Sequence, residues 1–289
     1  MQKMLYISGQ MRSGTTALAS LIAAQDGVEV EYDYFRVAAA SRSALNCIWN
    51  PDQPMPPHAR RQFFQAFLNA TAVGFHGTKR MESFKEFLRE DIRGEKLRDR
   101  TFQLEEIGTL PSFNTLRQFY KRYLPLVFSK NAKIIGNKET RAEGFVNVLA
   151  RNNIYAVVTI RDPRDVCLSY MQKVRSGKFG SNFEPEQIAA FWRTSFQVWK
   201  NSKNMNLLAI RYEDLIGNRE DVLERMSLFL NHRIVDKPVP MANSSFGDVK
   251  TGGLRESALA RWKRTPDDPL VKQIEGLLHE EMREVGYEV

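Results

Sequence analysis

The most informative feature of the sequence is a glycine-spaced segment near its start. An apolar run from Met4 to Ile7 leads to Gly9, and Gly14 follows at the opening of an amphipathic segment. Two glycines at this spacing, between a strand and a helix, are typical of a loop whose backbone N–H groups surround a phosphate at a helix N-terminus. The segment therefore predicts an anion-binding loop.

The residues inside this loop differ from those that bind nucleoside triphosphates. Thr15 and Thr16 stand where an ATPase or GTPase has Lys and then Ser or Thr, and the cation is Arg12. The lysine that would reach the β- and γ-phosphates is missing. We therefore expect a smaller anionic group, bound by residues of the loop and the first helical turn: Arg12, Ser13, Gly14, Thr15 and Thr16.

A second candidate anion site follows the most apolar strand of the sequence, Ile154–Ile160. Arg161 comes directly after this strand, Asp162 and Asp165 suit the N-cap and third positions of a helix with a capping box, and Ser169 lies further along that helix. An arginine and a hydroxyl at a strand–helix junction suit a phosphate. The ordinary alternatives are a salt bridge for the arginine and a backbone hydrogen bond for the serine.

Together the two segments resemble the PAPS-dependent sulfotransferases of the bacterial type. The resemblance is carried by Ile-Ser-Gly-Gln-Met-Arg-Ser-Gly-Thr-Thr at 7–16 and Ile-Arg-Asp-Pro-Arg-Asp-Val-Cys-Leu-Ser at 160–169. In that family the first loop binds the 5′-phosphosulfate of 3′-phosphoadenosine 5′-phosphosulfate (PAPS). The second segment binds the 3′-phosphate through an Arg and a Ser, here Arg161 and Ser169. The resemblance thus implies sulfuryl transfer from PAPS, with adenosine 3′,5′-bisphosphate (PAP) as the product.

Two further stretches are similar to the family. Gly-Asn-Lys-Glu-Thr at 136–140 is similar to a Gly-x-Lys-Thr-Pro stretch of many bacterial members, with Glu-Thr in place of Thr-Pro. It implies that Lys138 balances charge on the leaving phosphate, and a surface lysine is the alternative. The region of Arg261 and Trp262 is similar to a C-terminal Gly-Arg-Trp-Arg region. Arg261 and Trp262 would pack over the nucleotide. The alternative for Trp262 is a place in the hydrophobic core.

The acceptor must lose a proton, so a general base should stand near the loop. In protein-tyrosine sulfotransferases a catalytic Glu lies 21 residues after the loop Arg, and from Arg12 that spacing leads to Asp33. Glu31 is the close alternative, on a second strand that we expect beside the first. His76 is the third, because some cytosolic members use a His. The sequence leaves all three open.

Apolar strands alternate with helical segments along the chain. The predicted strands lie at 4–7, 28–30, 133–135, 154–160 and 207–210. This pattern predicts an α/β fold, a doubly wound parallel sheet of about five strands flanked by helices, with the ligand at the carboxyl ends of the strands. We expect one sulfotransferase domain over residues 1–289, with a helical insertion at about 40–130. The stretch Arg211–Asp214 closes the fifth strand and is interpreted as structural, with Asp214 as a helix cap.

Composition and charge restrict the classes of binding partner. The 42 Lys and Arg against 34 Asp and Glu give a net charge of +8, and the charges are scattered, which fits an anionic small ligand. We find no nucleic-acid-binding module and no metal-ligand spacing of His or Cys, so we expect a small-molecule acceptor, no nucleic acid and no metal. Two cysteines, Cys47 and Cys167, fit a reducing compartment, and both are expected to be buried. A first strand close to Met1 and no long apolar run predict a cytoplasmic protein without a membrane partner.

Three other function classes compete with sulfuryl transfer. A nucleotide kinase or NTPase predicts a Lys before Thr16 and a strand-ending Asp for Mg²⁺, but the Lys is absent and Asp162 suits a helix cap better. A nucleic-acid binder predicts interleaved aromatic and basic residues, which we do not find. A non-catalytic nucleotide-binding protein stays open. The acceptor is not specified by the residues, although a small metabolite or a glycan precursor is favoured, sulfated on oxygen or nitrogen.

Overall fold

A computed structural model describes residues 2–32, 35–74, 113–177, 184–202, 206–237 and 258–289 of the protein. The strands in these residues are β1 (Lys3–Gly9), β2 (Val28–Tyr32), β3 (Ile134–Lys138), β4 (Tyr155–Ile160) and β5 (Leu207–Arg211). They form one sheet in the order β2-β3-β1-β4-β5, and each neighbouring pair is parallel. The predicted α/β fold with a five-stranded parallel sheet is confirmed.

Helices connect the strands and cover both faces of the sheet. They are α1 (Thr15–Ala23), α2 (Val37–Leu45), α3 (Pro57–Gly74), α4 (Leu116–Tyr123), α5 (Glu143–Ala150), α6 (Pro163–Arg175), α7 (Pro185–Lys200), α8 (Tyr212–Gly217), α9 (Arg219–Leu230) and α10 (Pro269–Val285). In the described part of the chain, 3₁₀ turns lie at Leu124–Val127 and Arg261–Arg264. Helices α3 and α4 fall within the segment of the predicted insertion and α2 overlaps its start; residues 75–112 of that segment lie outside the described residues.

The position of β2 corrects one expectation. We expected β2 beside β1, but β3 lies between them. All five residues of β3 are buried, so this strand requires neighbours on both sides. In β2 the side chains of Val28 and Val30 are buried whereas Glu29 and Glu31 are not, which is the alternation of an edge strand. Gly136 permits the close β1–β3 contact, since a Cβ there would lie 2.6 Å from a backbone oxygen of β1.

Alternating side chains of the strands enter two hydrophobic clusters, one on each face. Tyr6 and Val158 face the cluster formed with α2, α3, α4 and α5, whereas Ile7 and Val157 face the cluster formed with α1 and α9. A third cluster joins the end of β4 at Ile160 to α6, α7 and α10. Each fully buried aliphatic side chain contributes about 1.5–3 kcal/mol. The helices thus cover the faces, and the carboxyl ends of the strands converge at one edge.

The end of β3 and the exposure of Cys47 differ from the sequence-based predictions. Strand β3 continues past the predicted end at 135, so Lys138 is its last residue. Cys167 is buried, as expected, and burial raises its pKa to about 11. Cys47 is exposed, against expectation, because it follows Asn46, which ends α2 in a left-handed conformation at the surface. Among the described residues, no helix is long and apolar enough to cross a membrane.

Candidate active site

The loop between β1 and α1 is held by hydrogen bonds within itself and to its neighbours. The N–H and the Oγ of Ser13 both donate to the carbonyl of Gln10, at 3.2 and 2.7 Å. Ser13 Oγ also lies 2.8 Å from Thr159 Oγ1 in β4, and the Gln10 N–H donates to Ser195 Oγ at 3.1 Å. The Ser13 hydroxyl therefore stabilises the loop. Its listing among the predicted ligand-binding residues rests on its position in the loop and not on its hydroxyl.

The loop brings the N-terminus of α1 to the carboxyl end of β1. Gly14 is the N-cap residue, with a φ of 90°, and a Cβ there would lie 2.2 Å from Cδ2 of Tyr212. Thr15 is buried and Thr16 is partly exposed in the first turn of α1. The first N–H groups of a helix have no acceptor within it, and together with the helix dipole they favour an anion. Four of the five predicted loop residues therefore surround a helix terminus suited to an anion, with Arg12 beside it at a φ of 73°.

Arg161 follows β4, the strand that pairs with β1, and its side chain is only 5% exposed. Its guanidinium donates through NH1 to the carbonyl of Arg12 at 3.1 Å. Through NH2 it contacts the carboxylate of Asp165, at 3.4 Å, and the carbonyl of Ala258. Arg161 Nε is buried and has no hydrogen-bond partner in the part of the chain that the structure describes. Since an unpaired buried donor is costly, this N–H would be stabilised by an acceptor from a ligand.

Ser169 joins the two predicted anion sites. It is 3% exposed, and its Oγ accepts a hydrogen bond from Arg12 Nε at 3.0 Å. Arg12 therefore contacts Ser169 through its side chain and Arg161 through its carbonyl. The two sites, which are separate in the sequence, form one continuous basic corner at the ends of β1 and β4.

Tyr212 is a residue of this corner that the sequence reasoning missed. Its ring lies against the loop, and the guanidinium of Arg161 lies over it, with Cζ 4.6 Å from the ring centroid. Burial raises the pKa of the Tyr212 hydroxyl, while three cations oppose that shift: Arg161, Arg261 and Arg12. The phenol therefore lies within the positive field of the corner. The sequence contains a signal for this role, because Tyr212 directly follows β5, the strand next to β4. The prediction that Asp214 caps the next helix is wrong, since Arg211 is the N-cap residue of α8.

The C-terminal 3₁₀ turn adds Arg261 and Trp262 to the same corner. Arg261 donates to Gln172 Oε1 of α6 at 3.3 Å, and its pKa is lowered by burial first and then by the nearby charge of Arg161. Trp262 is partly exposed, and the guanidinium of Arg164 lies 3.5 Å from its ring centroid. Trp262 therefore packs on a buried cation next to the basic corner, and it is not part of the hydrophobic core.

The start of α6 differs from the predicted capping box. Asp162 is the N-cap, as expected, and its carboxylate accepts from the N–H of Arg164 at 2.9 Å. Asp165 does not bond back to the cap; it contacts Arg161 and accepts from the N–H of Trp262 at 3.1 Å. Asp165 is fully buried, and burial raises its pKa while the charge of Arg161 opposes the shift. This carboxylate therefore orients the arginine and holds the C-terminal turn.

Lys138 lies on the other side of the loop, at the end of β3. It is level with Ile7 of β1 and with Tyr32 of β2 in the strand register. Its side chain is 2% exposed, so the interpretation as a surface lysine is wrong. A cation at this position stands beside the strand that leads into the loop.

Of the three candidate bases, the structure describes only Glu31. Glu31 is partly exposed in β2, opposite Asn137 in the register. Asp33 and His76 lie outside the described residues, and both remain predictions. Asp33 follows Tyr32 directly in the sequence, and Tyr32 aligns with Lys138. Among the residues described, no group of His, Cys, Asp and Glu is arranged to hold a metal ion.

Comparison with known proteins identifies the family and the fold of the chain. A family model described as "Sulfotransferase family" matches residues 5–236. The luciferin sulfotransferase of Photinus pyralis is 24% identical over 106 residues, which cover 32% of this chain and 29% of that protein.

Two solved structures share the fold. The sulfotransferase domain from the curacin biosynthetic pathway is 18% identical, with a TM-score of 0.52, and the match covers 100% of this chain and 99% of that one. The sulfotransferase domain from the Synechococcus PCC 7002 olefin synthase is 14% identical, with a TM-score of 0.56, and the match covers 100% and 97% of the two chains.

Proposed function

This chain belongs to the sulfotransferase family, and we propose that it transfers a sulfuryl group from PAPS to a hydroxyl or an amine of a small-molecule or glycan acceptor. One observation carries the choice of donor: the phosphate loop and the second anion site are joined by hydrogen bonds. Arg12 donates to Ser169, and Arg161 donates to the Arg12 carbonyl. Two adjoining anion sites fit a nucleotide with one charged group at its 5′ position and another at its 3′ position.

The residues present fit such a donor. The amides of the loop and α1, with Arg12, Thr15 and Thr16, would hold the 5′-phosphosulfate. Arg161 and Ser169 would hold the 3′-phosphate, and the buried Arg161 Nε would gain the acceptor that it lacks within the described residues. Arg261, Trp262 and Tyr212 would border the nucleotide. When bound, PAPS supplies the sulfuryl group and a phosphate leaving group.

The side chains of this chain would contribute alignment and charge. In sulfuryl transfer, as in phosphoryl transfer, the protein takes little part in covalent chemistry. Its main contributions are to position the reacting groups and to stabilise charge. Arg12, in the loop, and Lys138, at the end of β3, would balance the charge that develops on the leaving phosphate. Asp33, or else Glu31 or His76, would accept the proton of the acceptor.

Binding of PAP, ATP and AMP, measured by titration calorimetry, tests the donor assignment. We expect PAP to bind most tightly. Losing a charge-assisted hydrogen bond costs about 1.5–3 kcal/mol, so Arg161→Ala should weaken PAP binding by about tenfold or more and leave AMP binding nearly unchanged. Arg175→Ala, an exposed arginine at the other end of α6, is the matched control and should change neither.

Three outcomes would speak against the proposal. Equal losses of PAP and AMP binding in Arg161→Ala would remove the 3′-phosphate assignment. Tighter binding of ATP than of PAP would contradict the donor. Tight PAP binding without transfer to any acceptor would favour a non-catalytic nucleotide-binding protein.

A further inference from the structure

The end of β3 holds a buried carboxylate that the proposed chemistry does not use. Glu139 follows Lys138 directly and is 3% exposed. Its Oε2 accepts from the N–H of Ala38 at 2.9 Å and from the hydroxyl of Tyr6 at 3.1 Å. Its Oε1 accepts from the N–H of Ala39 at 2.6 Å. One carboxylate thus binds three donors from β1 and α2.

The two amides belong to the first turn of α2, so Glu139 caps this helix from a different element. The N-cap residue of α2 is Arg36, which makes no side-chain cap hydrogen bond. A capping acceptor usually comes from the residue before the helix, and a negative charge there is favourable to the helix dipole. Burial raises the pKa of Glu139, and the Ala38 and Ala39 amides oppose that shift.

The residue on the other side of Lys138 makes a second link to the same segment. Asn137 is fully buried, and its Nδ2 donates to the carbonyl of Phe35 at 3.1 Å. Its Oδ1 accepts from the hydroxyl of Tyr120 at 2.5 Å. Both chain neighbours of Lys138 therefore bind the segment that begins α2.

Both links follow the leading base candidate in the sequence, and the pairing of β2 with β3 precedes it. Strand β2 ends at Tyr32, level with Lys138, and α2 begins at Val37. The connection at 33–36 contains Asp33. The residues before this connection pair with β3, and the residues after it, at the start of α2, bind Glu139 at the end of β3.

We propose that Glu139 is a positioning residue, which fixes the start of α2 to the end of β3 beside Lys138. This inference rests on the proposed function, in which Asp33, just ahead of α2 in the sequence, would accept the proton of the acceptor. Glu139 acts through α2 and contacts neither the donor nor the reacting atoms.

Glu139→Gln is the sharpest variant, with Tyr6→Phe as its matched control. Glutamine keeps the size but offers one accepting oxygen, so one helix amide loses its partner. Tyr6→Phe removes one donor to the same carboxylate and leaves both amide bonds in place. Glu139→Asp keeps the charge with a shorter reach, and it is the second variant if the glutamine protein does not fold.

The full-length variants are compared by amide hydrogen exchange, by PAP affinity and by kcat and KM with 4-nitrophenol, octanol and glucosamine as acceptor probes. We expect Glu139→Gln to raise exchange within residues 35–45 by about tenfold or more, as loss of a buried hydrogen bond predicts. Acceptor kcat/KM should fall by a similar factor, about tenfold, with PAP affinity unchanged. Tyr6→Phe should have much smaller effects on exchange and turnover.

Unchanged exchange in α2, or unchanged acceptor kinetics despite faster exchange, would overturn the inference. Faster exchange throughout the chain together with weaker PAP binding would also overturn it, because Glu139 would then only support overall stability. If the wild-type chain transfers a sulfuryl group from PAPS to none of the probes, the proposed function fails separately. The exchange data then still decide whether Glu139 holds α2.

Discussion

Arg161 illustrates how a single side chain can serve both the fold and a ligand. Its NH1 and NH2 groups bind the carbonyl of Arg12, the carboxylate of Asp165 and the carbonyl of Ala258. These bonds fix the plane of the guanidinium before any ligand arrives, which limits the reorganisation needed on binding. The remaining buried Nε has no hydrogen-bond partner among the described residues, and in the proposed function it would donate to the 3′-phosphate.

The residue that removes the acceptor proton is tested by conservative substitution. Asp33→Asn keeps the size of the side chain and removes its basicity. We expect turnover to fall by about 10²–10⁴-fold, the usual contribution of a general base, while PAP affinity stays within a few-fold by the binding assay above. Turnover is measured with the same acceptor probes.

Glu31→Gln and His76→Ala are the comparisons for that measurement. Near-normal turnover in Asp33→Asn, with loss in either of the other two, would move the base to that residue. If none of the three variants loses activity, the acceptor arrives already nucleophilic, as an amine can, and positioning alone carries the rate.

The stability of the protein should respond to pH through Glu143. This carboxylate is 4% exposed and accepts from Ser195 Oγ at 2.7 Å, and its burial raises its pKa. The folded state therefore keeps this proton to higher pH than the unfolded state, and its stabilising effect is lost as pH rises through the folded pKa. Glu143→Gln does not titrate and can keep the Ser195 bond.

We therefore expect the Tm of Glu143→Gln, relative to wild type, to increase between about pH 4 and about pH 8. Thermal unfolding of the two proteins across this range measures the difference, which cancels the titration of other carboxylates. A difference that stays constant or decreases with pH would contradict the assignment.

At the scale of elements, the junction of β1, α1 and α8 depends on a glycine. Gly14 has a φ of 90°, and a Cβ there would lie 2.2 Å from the Tyr212 ring. Gly14→Ala should lower the Tm and abolish PAP binding, because both the left-handed backbone and the ring contact oppose a side chain. Gly14→Ala with Tyr212→Ala should recover part of the Tm, and no recovery would show that the ring contact is unimportant.

Gly217 provides the control for this prediction. It lies in α8, and a Cβ there would meet no atom within 4 Å. Gly217→Ala should leave PAP binding unchanged and keep or slightly raise the Tm, since alanine is favoured over glycine in a helix. An equal loss of binding in both variants would contradict the special role of Gly14.

The elements differ in how well local sequence predicts them. Strands β1, β4 and β5 are apolar runs bounded by polar residues, and this pattern is sufficient to locate them. The order of β2 and β3 is not encoded locally, because both strands can pair only after chain segments distant in sequence come together. The role of Asp165 was missed for the same reason, since its partner Trp262 comes from the C-terminal turn.

At the scale of the whole molecule, the C-terminal segment closes onto the basic corner through Arg164. This side chain is 1% exposed and binds Asp162 at 2.8 Å and Glu275 of α10 at 2.8 Å, with Trp262 stacked on it. The corner is thus assembled from the first strand, the fourth, the fifth and the C-terminal turn. The loop and Arg161 were predictable because they carry recognisable patterns. Tyr212 follows β5 but was not singled out, because its packing against the loop joins segments that are distant in sequence.

Transfer of label from [³⁵S]PAPS, in the presence of EDTA, is the most direct test of the central claim. We expect ³⁵S in an organic product with at least one of the phenol, alcohol or amine probes, and turnover that persists in chelator because Arg12 and Lys138 would balance the charge. Release of PAP without any labelled organic product, or complete loss of transfer in EDTA that Mg²⁺ restores, would contradict it.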